Sequence, residues 1–379
     1  MINKVKRYIK NLFKKNRLNF EYKSYNNLYK RIIDKNNINV KEQVLNEKIW
    51  SKKWDSYGIK YSPLSYKIFT KYIGVNDINI IPLEICAGIV EPILTPELYR
   101  AYYNDKNSYD SLFSEFLMPE TLIRNINGTY FDKNYKILTN IDESLVSIAK
   151  FYEKIIVKPT REASGRGVQL FNNVNGKFIN KEGYTLDKSY LSDNYKSNYI
   201  IQDIVKQSSF GSQFNESSLN TIRVVTYRSV MTGKTHVINS IMRIGAKGNC
   251  IDNAHGGGMF VGIDKNGKIG KYACNWLGEK KSIFNNIDFE NNEYIIPKFK
   301  DICQFAIDLS DKIIHHNLIA FDIALNEKEQ PILIESNIGG FSAWFFQFTN
   351  GSAFGKYTDE IMEYCIKNYT SLKSTNILE

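Results

Sequence analysis

Lys158-Pro159-Thr160-Arg161-Glu162-Ala163-Ser164-Gly165-Arg166-Gly167-Val168 sets a lysine at the end of a short apolar run, residues 155–159. A polar loop with two glycines follows and leads into a second apolar run, residues 168–171. Small residues such as Ser164, Gly165 and Gly167 let backbone N–H groups approach phosphate oxygens, and Lys158 supplies a point charge. The stretch is not a Walker A loop, because the Gly-Lys-Ser/Thr ending and the following helix are missing. It also lacks the GxGxxG of a dinucleotide site. A plain turn beside a lysine accounts for the same residues, so the loop alone does not decide the chemistry. Residues 199–202 read as a third strand of this small β-rich piece.

Further along, residues 318–325 and 331–335 form a hairpin around Asn326–Gln330. With the turn centred between 328 and 329, Asp322 lies opposite Glu335, and Glu335 and Asn337 share one face. Two carboxylates and an amide oxygen then converge among apolar neighbours, a set of hard oxygens that suits Mg²⁺. A pair of edge-exposed acids is the alternative. Residues 221–230 and 235–244 flank a Met-Thr-Gly-Lys turn, a second hairpin. A three-residue loop would put Arg223 opposite Arg243, and a four-residue loop would offset them by one. The loop Asp252-Asn253-Ala254-His255-Gly256-Gly257-Gly258 follows, rich in glycine. Fixed guanidinium groups beside such a loop suit an anionic intermediate. Of the histidines, His255 is the site candidate, while His236, His315 and His316 fit packing and capping.

Outward from these pieces, residues 21–100 read as mainly helical, residues 109–116 and 301–316 as helices, and 357–368 as a C-terminal helix. The order is α+β in at least three pieces. Boundaries are expected at 1–20 (a basic amphipathic segment), 21–140 (a mainly helical domain), 141–205 (a small β-rich module) and 206–379 (a larger one). With 379 residues, 43 % hydrophobic and 24 % charged, the chain is neither disordered nor a disulfide scaffold. No run approaches the roughly 18–20 apolar residues that span a bilayer, and the start is too lysine-rich for a secretory signal. Five scattered cysteines without CxxC suggest a reduced, cytoplasmic protein. The net charge is +10, but Lys4, Lys6, Arg7, Lys10, Lys14, Lys15 and Arg17 supply seven of those charges with no acid among them. The body therefore lacks the basic footprint that nucleic-acid binding needs. In the same segment Ile2, Val5, Ile9, Leu12 and Phe13 recur at helical spacing. They suit weak contact with an anionic membrane surface at its inner face. A solvated helix resting its apolar stripe on the body is the more economical account.

Taken together and in this order, these residues resemble an ATP-grasp enzyme, closest to the sugar-transfer-associated family of bacterial surface-polysaccharide loci. The likeness covers about residues 100–345. It implies an ATP-grasp fold with ATP held between two α+β modules, preceded by a helical N-terminal region. Within it, Asp105-Lys106 matches the first ATP lysine, and Lys158 with Ser164, Gly165 and Gly167 matches the second lysine and the phosphate-covering loop. Gln202, Asp203 and Val205 fall at the adenine hinge. Asp322, Glu335 and Asn337 match the Mg²⁺ ligands, with two ions expected, and Arg223, Arg243 and Asn253 match phosphate or acyl-phosphate positions. The implied activity is an ATP- and Mg²⁺-dependent carboxylate–amine ligase working through an acyl phosphate. Its substrates would be a uronic acid or amino acid and an amine, in capsule or O-antigen synthesis. A kinase using the same ATP residues, or a non-catalytic ATP-binding scaffold, are the rival readings. Two departures stand out: the hinge reads Gln202-Asp203 where an acidic first residue is common, and Ile338-Gly339-Gly340-Phe341 lacks the arginine that several amino-acid ligases carry there.

Overall fold

The computed structural model describes residues 2–74, 76–162, 165–248 and 256–371, with side chains described from residue 17 to 369. Its first third is helical: α1 (Ile2–Asn36), α2 (Glu47–Asp55), α3 (Leu64–Ile73), α4 (Leu83–Ile85), α5 (Glu91–Leu94), α6 (Glu97–Tyr103) and α7 (Tyr109–Leu112). Between α4 and α5 the chain widens into a π-turn, Cys86–Val90, just before Pro92, which has no N–H to give the preceding turn. A 3-10 turn, Lys106–Ser108, joins α6 to α7, and the Asp105 carboxylate caps it by accepting from the Asn107 N–H.

A six-stranded antiparallel sheet follows. Its strands are β1 (Thr121–Ile126), β2 (Thr129–Asp132), β3 (Lys154–Pro159), β4 (Gln169–Val174), β5 (Lys177–Asn180) and β6 (Tyr199–Asp203). They lie in the order β2-β1-β6-β3-β4-β5. Helices α8 (Ile141–Ile148) and α9 (Lys188–Asn194) cover one face, where Ile155, Val157, Phe171 and Ile201 form a core with Leu145 and Leu191. Residues 121–132, inside the stretch expected to be mainly helical, thus belong to this sheet: β1 pairs with β6 across Arg124↔Ile200 and Asn125↔Tyr199.

After α10 (Ser209–Phe214) come β7 (Thr221–Arg228), β8 (Thr235–Ile244), β9 (Met259–Ile263), β10 (Ile269–Cys274) and β11 (Lys280–Lys281). A small ribbon, β12 (Ile283–Phe284) with β13 (Ile287–Asp288), leads to α11 (Phe299–Asp311), then β14 (Leu318–Leu325), β15 (Pro331–Asn337), α12 (Ala343–Thr349) and α13 (Thr358–Ser371). The larger sheet is ordered β11-β10-β9-β8-β7-β14-β15. Every residue of β14, Leu-Ile-Ala-Phe-Asp-Ile-Ala-Leu, is buried, as expected of an apolar strand with neighbours on both sides and covered faces. Val224, Ile319 and Phe321 face α11. Val225, Tyr227, Leu318 and Ala320 face the other way and share one core with Tyr29, Trp50, Phe69, Ile89 and Phe346. The N-terminal helices and α12 therefore roof the same face from which Asp322, alternating with Ala320, projects.

The two hairpins differ from each other in how the expected register fares. In β14–β15 Asp322 does pair with Glu335, and a one-residue bulge then shifts the ladder to Ile323↔Leu333. In β7–β8 the connection is longer than a four-residue turn and a bulge between Val225 and Thr226 shifts the ladder once more, so Arg243 pairs with Thr221 and Arg223 with Ile241. The two arginines are diagonal neighbours on one face rather than opposed. The helix expected through 109–116 is the single turn α7, and the one expected over 301–316 ends at Asp311. Among the described residues no helix is long and apolar enough to cross a membrane.

Candidate active site

Asp322 is the hub. Its carboxylate is 2 % exposed. It accepts from Arg223 Nε (Oδ1, 2.7 Å) and Nη2 (Oδ2, 2.8 Å), a two-point fork, and from Arg243 Nη1 at 2.6 Å. Asn337 Nδ2 adds a fourth bond at 3.2 Å. Burial alone would raise this carboxyl, but Arg223 and then Arg243 overcome it and hold it down at about 2. Sheet geometry produces the cluster: Asp322 pairs with Arg223 on one side and Glu335 on the other, while Arg243 reaches across β7.

Lys106 approaches from the 3-10 turn. Its Nζ donates to Glu335 Oε1 at 2.8 Å and to the Glu162 carbonyl at 3.4 Å. Its N–H donates to the Thr160 carbonyl at 3.1 Å, which ties this turn to the loop after β3. Arg161 Nε and Asp105 Oδ2, 2.9 Å apart, add a second tie. Burial would lower the Lys106 ammonium, and Glu335 outweighs it, so the group stays above its ordinary value.

Lys158 behaves differently. It lies on β3 opposite Ile200 and is buried, with no hydrogen-bond partner for its Nζ among the described residues. Burial first, then the like charge of Lys106, push it down to about 7, against only a weaker pull from Glu335. On the same face of the sheet, Gln202 donates through Nε2 to Thr121 Oγ1 at 2.9 Å, and its Oε1 is buried without a partner among the described residues. Asp203 continues that edge, its N–H bonded to the Glu120 carbonyl at 3.0 Å and its carboxylate to the Ile204 N–H at 2.7 Å; Val205 follows, half-buried in irregular chain. Gly165 and Gly167 both take positive φ, 69° and 73°. A Cβ on Gly167 would stand 2.9 Å from Pro159 Cγ, so that position needs glycine on two counts.

The structure thus brings Lys106, Lys158, Arg223, Arg243, Asp322, Glu335 and Asn337 into one interconnected group between the two sheets. Ser164, Asn253 and His255 lie outside the described residues. A buried, unpaired lysine beside a second lysine fits a polyphosphate. Glu335 Oε2 and Asn337 Oδ1, which have no hydrogen-bond partner among the described residues, are hard oxygens that fit Mg²⁺. Asp322, expected as a metal ligand too, instead spends both oxygens on the arginines. Among the described residues no cluster of three or more His, Cys, Asp or Glu stands ready for a metal. His315 bonds Tyr103 OH at 2.8 Å and stacks on Tyr99; burial pushes His316 down to about 4.

Sequence reasoning missed a second group, beside the loop after Asn337. Gly340 donates its N–H to Glu91 Oε2 at 2.5 Å, and the Arg100 guanidinium lies against Gly339. The Gly339-Gly340 pair, both with positive φ, signalled an unusual loop, but nothing in spacing pointed to α5 and α6 as its neighbours.

A family model described as sugar-transfer associated ATP-grasp matches residues 96–363. Similar solved structures include the D-cycloserine synthetase DcsG, at 10 % identity with 72 % of this chain and 73 % of that one covered and a TM-score of 0.42. The ATP-grasp ligase PsnB, solved with a phosphomimetic variant of its minimal precursor, Mg and ADP, is 10 % identical, with 71 % and 61 % covered and a TM-score of 0.41. The D-alanine–D-alanine ligase of Bacillus anthracis is 12 % identical, with 74 % and 72 % covered and a TM-score of 0.39. No curated protein matches the chain.

Proposed function

The chain belongs to the sugar-transfer associated ATP-grasp family, and from that premise we propose that it is an ATP- and Mg²⁺-dependent carboxylate–amine ligase. Its product would be an amide on a sugar or amino-acid unit of a bacterial capsule or O-antigen polysaccharide. The observation that carries the reading is Lys158: a buried lysine with no hydrogen-bond partner among the described residues, beside Lys106 and Glu335, becomes a stable ammonium only when an anion joins it.

In this reading Lys106 and Lys158 bind the β- and γ-phosphates, and the loop bearing Ser164, Gly165 and Gly167 covers them. Gln202, Asp203 and Val205 receive the adenine. Glu335 and Asn337 would hold Mg²⁺, two ions in the fullest form, whose chemistry when bound is to neutralise phosphate charge. A substrate carboxylate oxygen attacks the γ-phosphorus, the P–O bond to ADP breaks, and an acyl phosphate forms. Arg223 and Arg243, already fixed by Asp322, bind its developing charge without reorganising, and Asn253 and His255 are proposed to join them. The amine nitrogen then attacks the acyl carbon, the bond to phosphate breaks, and the ammonium proton leaves. No step needs a protein nucleophile.

The test is turnover of Mg·ATP by the full chain with uronic acids and amino acids as carboxylates and a panel of amines, followed by phosphorus NMR. Inorganic phosphate released only when both a carboxylate and an amine are present is the expected result. A phosphorylated acceptor formed without amine would make the protein a kinase instead. Glu335→Gln should lower turnover by about 100-fold or more; an unchanged rate would remove Glu335 from the site. For residues 1–20 we propose weak contact with anionic lipid at the cytoplasmic face, tested by flotation with phosphatidylglycerol vesicles. Equal flotation of full-length and truncated chains would discard it.

A further inference from the structure

Two residues past Asn337, and so at most about 7 Å farther along the chain, the backbone meets a pair of opposite charges that the ligase chemistry above does not use. Arg100, on α6, is held in one plane by Thr95: Nε donates to the Thr95 carbonyl at 2.9 Å and Nη2 to its Oγ1 at 2.8 Å. The third nitrogen, Nη1, has no hydrogen-bond partner among the described residues. The guanidinium lies where a side chain on Gly339 would be, 2.7 Å from the position of its missing Cβ. Beside it stands Glu91, on α5, with Oε2 accepting from the Gly340 N–H and no ion pair to Arg100 among the described residues. Burial raises the Glu91 carboxyl, against the Gly340 N–H and Arg100. The Asn104 amide, one turn after Arg100, reaches the Ile338 carbonyl at 3.5 Å, so α6 is fastened to this loop as well as leading into Lys106.

A pre-set fork with an open donor and a neighbouring carboxylate that makes no direct ion pair with it among the described residues complement a molecule carrying both charges close together. We propose that Arg100 and Glu91 recognise the amine substrate, and that this substrate is an amino acid: its carboxylate on Arg100 Nη1, its ammonium beside Glu91, next to where Glu335 and Asn337 mark the phosphate end. The inference rests on the ligase reading.

The experiment measures amine-dependent phosphate release by the full chain with glucuronate and galacturonate as carboxylates. Amines are offered as matched pairs, such as glycine and glycinamide, or serine and serinamide. The amino acids should exceed their amides by about 10-fold or more in kcat/KM, the cost of leaving the fixed Arg100 donor without its carboxylate. Arg100→Gln should raise KM for the amino acid by a similar factor and erase the acid-over-amide preference. The thermal shift given by Mg·ATP should stay as in the parent, since Arg100 touches no nucleotide-binding group. Amides as good as acids in the parent protein, or an undiminished preference in Arg100→Gln, would overturn the inference and leave the ligase reading standing. Should Arg100→Gln fail to fold, the acid-against-amide comparison in the parent decides alone. Phosphate release that no amine stimulates would remove the ligase reading, and this one with it.

Discussion

Asp322 and Lys158 show opposite answers to the same problem, a charge out of water. Asp322 is answered from within, by two guanidinium groups and an amide, and its folded value of about 2 lies below the ordinary 3.8. Its stabilising contribution is therefore complete above about pH 4 and fades as pH falls toward 2. Asp322→Asn leaves the buried Arg223 without its forked counter-charge and takes one partner from Arg243, and should cost about 3–5 kcal/mol. Thermal unfolding from pH 3 to 7 checks both: the parent should lose stability over the acid part of that range, and the difference from the variant should shrink there. Lys158 is left unanswered, at about 7 against 10.5 for a free lysine. Between those values the unfolded chain holds a proton that the folded one lacks, so this group makes the free protein more stable as pH rises from 7 to 10. An anion at Lys158 restores the proton. Calorimetric titration of Mg·ATP at pH 8 in buffers of differing ionisation enthalpy should thus show proton uptake, and Lys158→Met should remove most of it.

At the scale of elements, legibility follows how strongly each turn constrains its strands. Asp322 could be set against Glu335 from numbering alone, because Asn326–Gln330 closes a short hairpin and one bulge falls beyond the pair. Arg223 and Arg243 could not, since the connection between β7 and β8 outruns the Met-Thr-Gly-Lys turn and the ladder slips. They still share a face because the slip is even. Strands β1 and β2 escaped notice in a stretch that otherwise reads as helix, and β1 carries buried polar residues, Arg124 and Asn125, where alternation would have revealed it. Arg124 is answered by Asp110 and Tyr135, partners that only the fold supplies. The loop between β3 and β4 was legible as glycine-dependent, and the structure gives the reason at Gly167. Gly167→Ala meets both a left-handed φ and Pro159, so it should strain this loop by about 1–3 kcal/mol. A several-fold rise in KM for ATP with little change in the melting of the larger sheet is the expected pattern. A shift in melting alone would assign Gly167 to stability only.

The whole molecule is built on unequal cores. One continuous core joins α1, α2, α3 and α12 to the larger sheet, while the six-stranded sheet keeps its own smaller core with α8 and α9. The span matched by the family, residues 96–363, therefore excludes helices on which its own sheet depends. A fragment of residues 96–363 would expose Tyr227, Phe346 and their neighbours. It should bind hydrophobic dyes and lose its cooperative unfolding transition, whereas a fragment starting at residue 17 should melt close to the full chain; a cooperative 96–363 fragment would refute this. The same partition has an optical side. All four tryptophans, Trp50, Trp54, Trp276 and Trp344, lie outside residues 121–203, so indole emission reports the larger body and is blind to the six-stranded sheet. A single tryptophan placed at Phe151, an 81 % exposed position beside that sheet, would give this dark part of the protein a colour of its own.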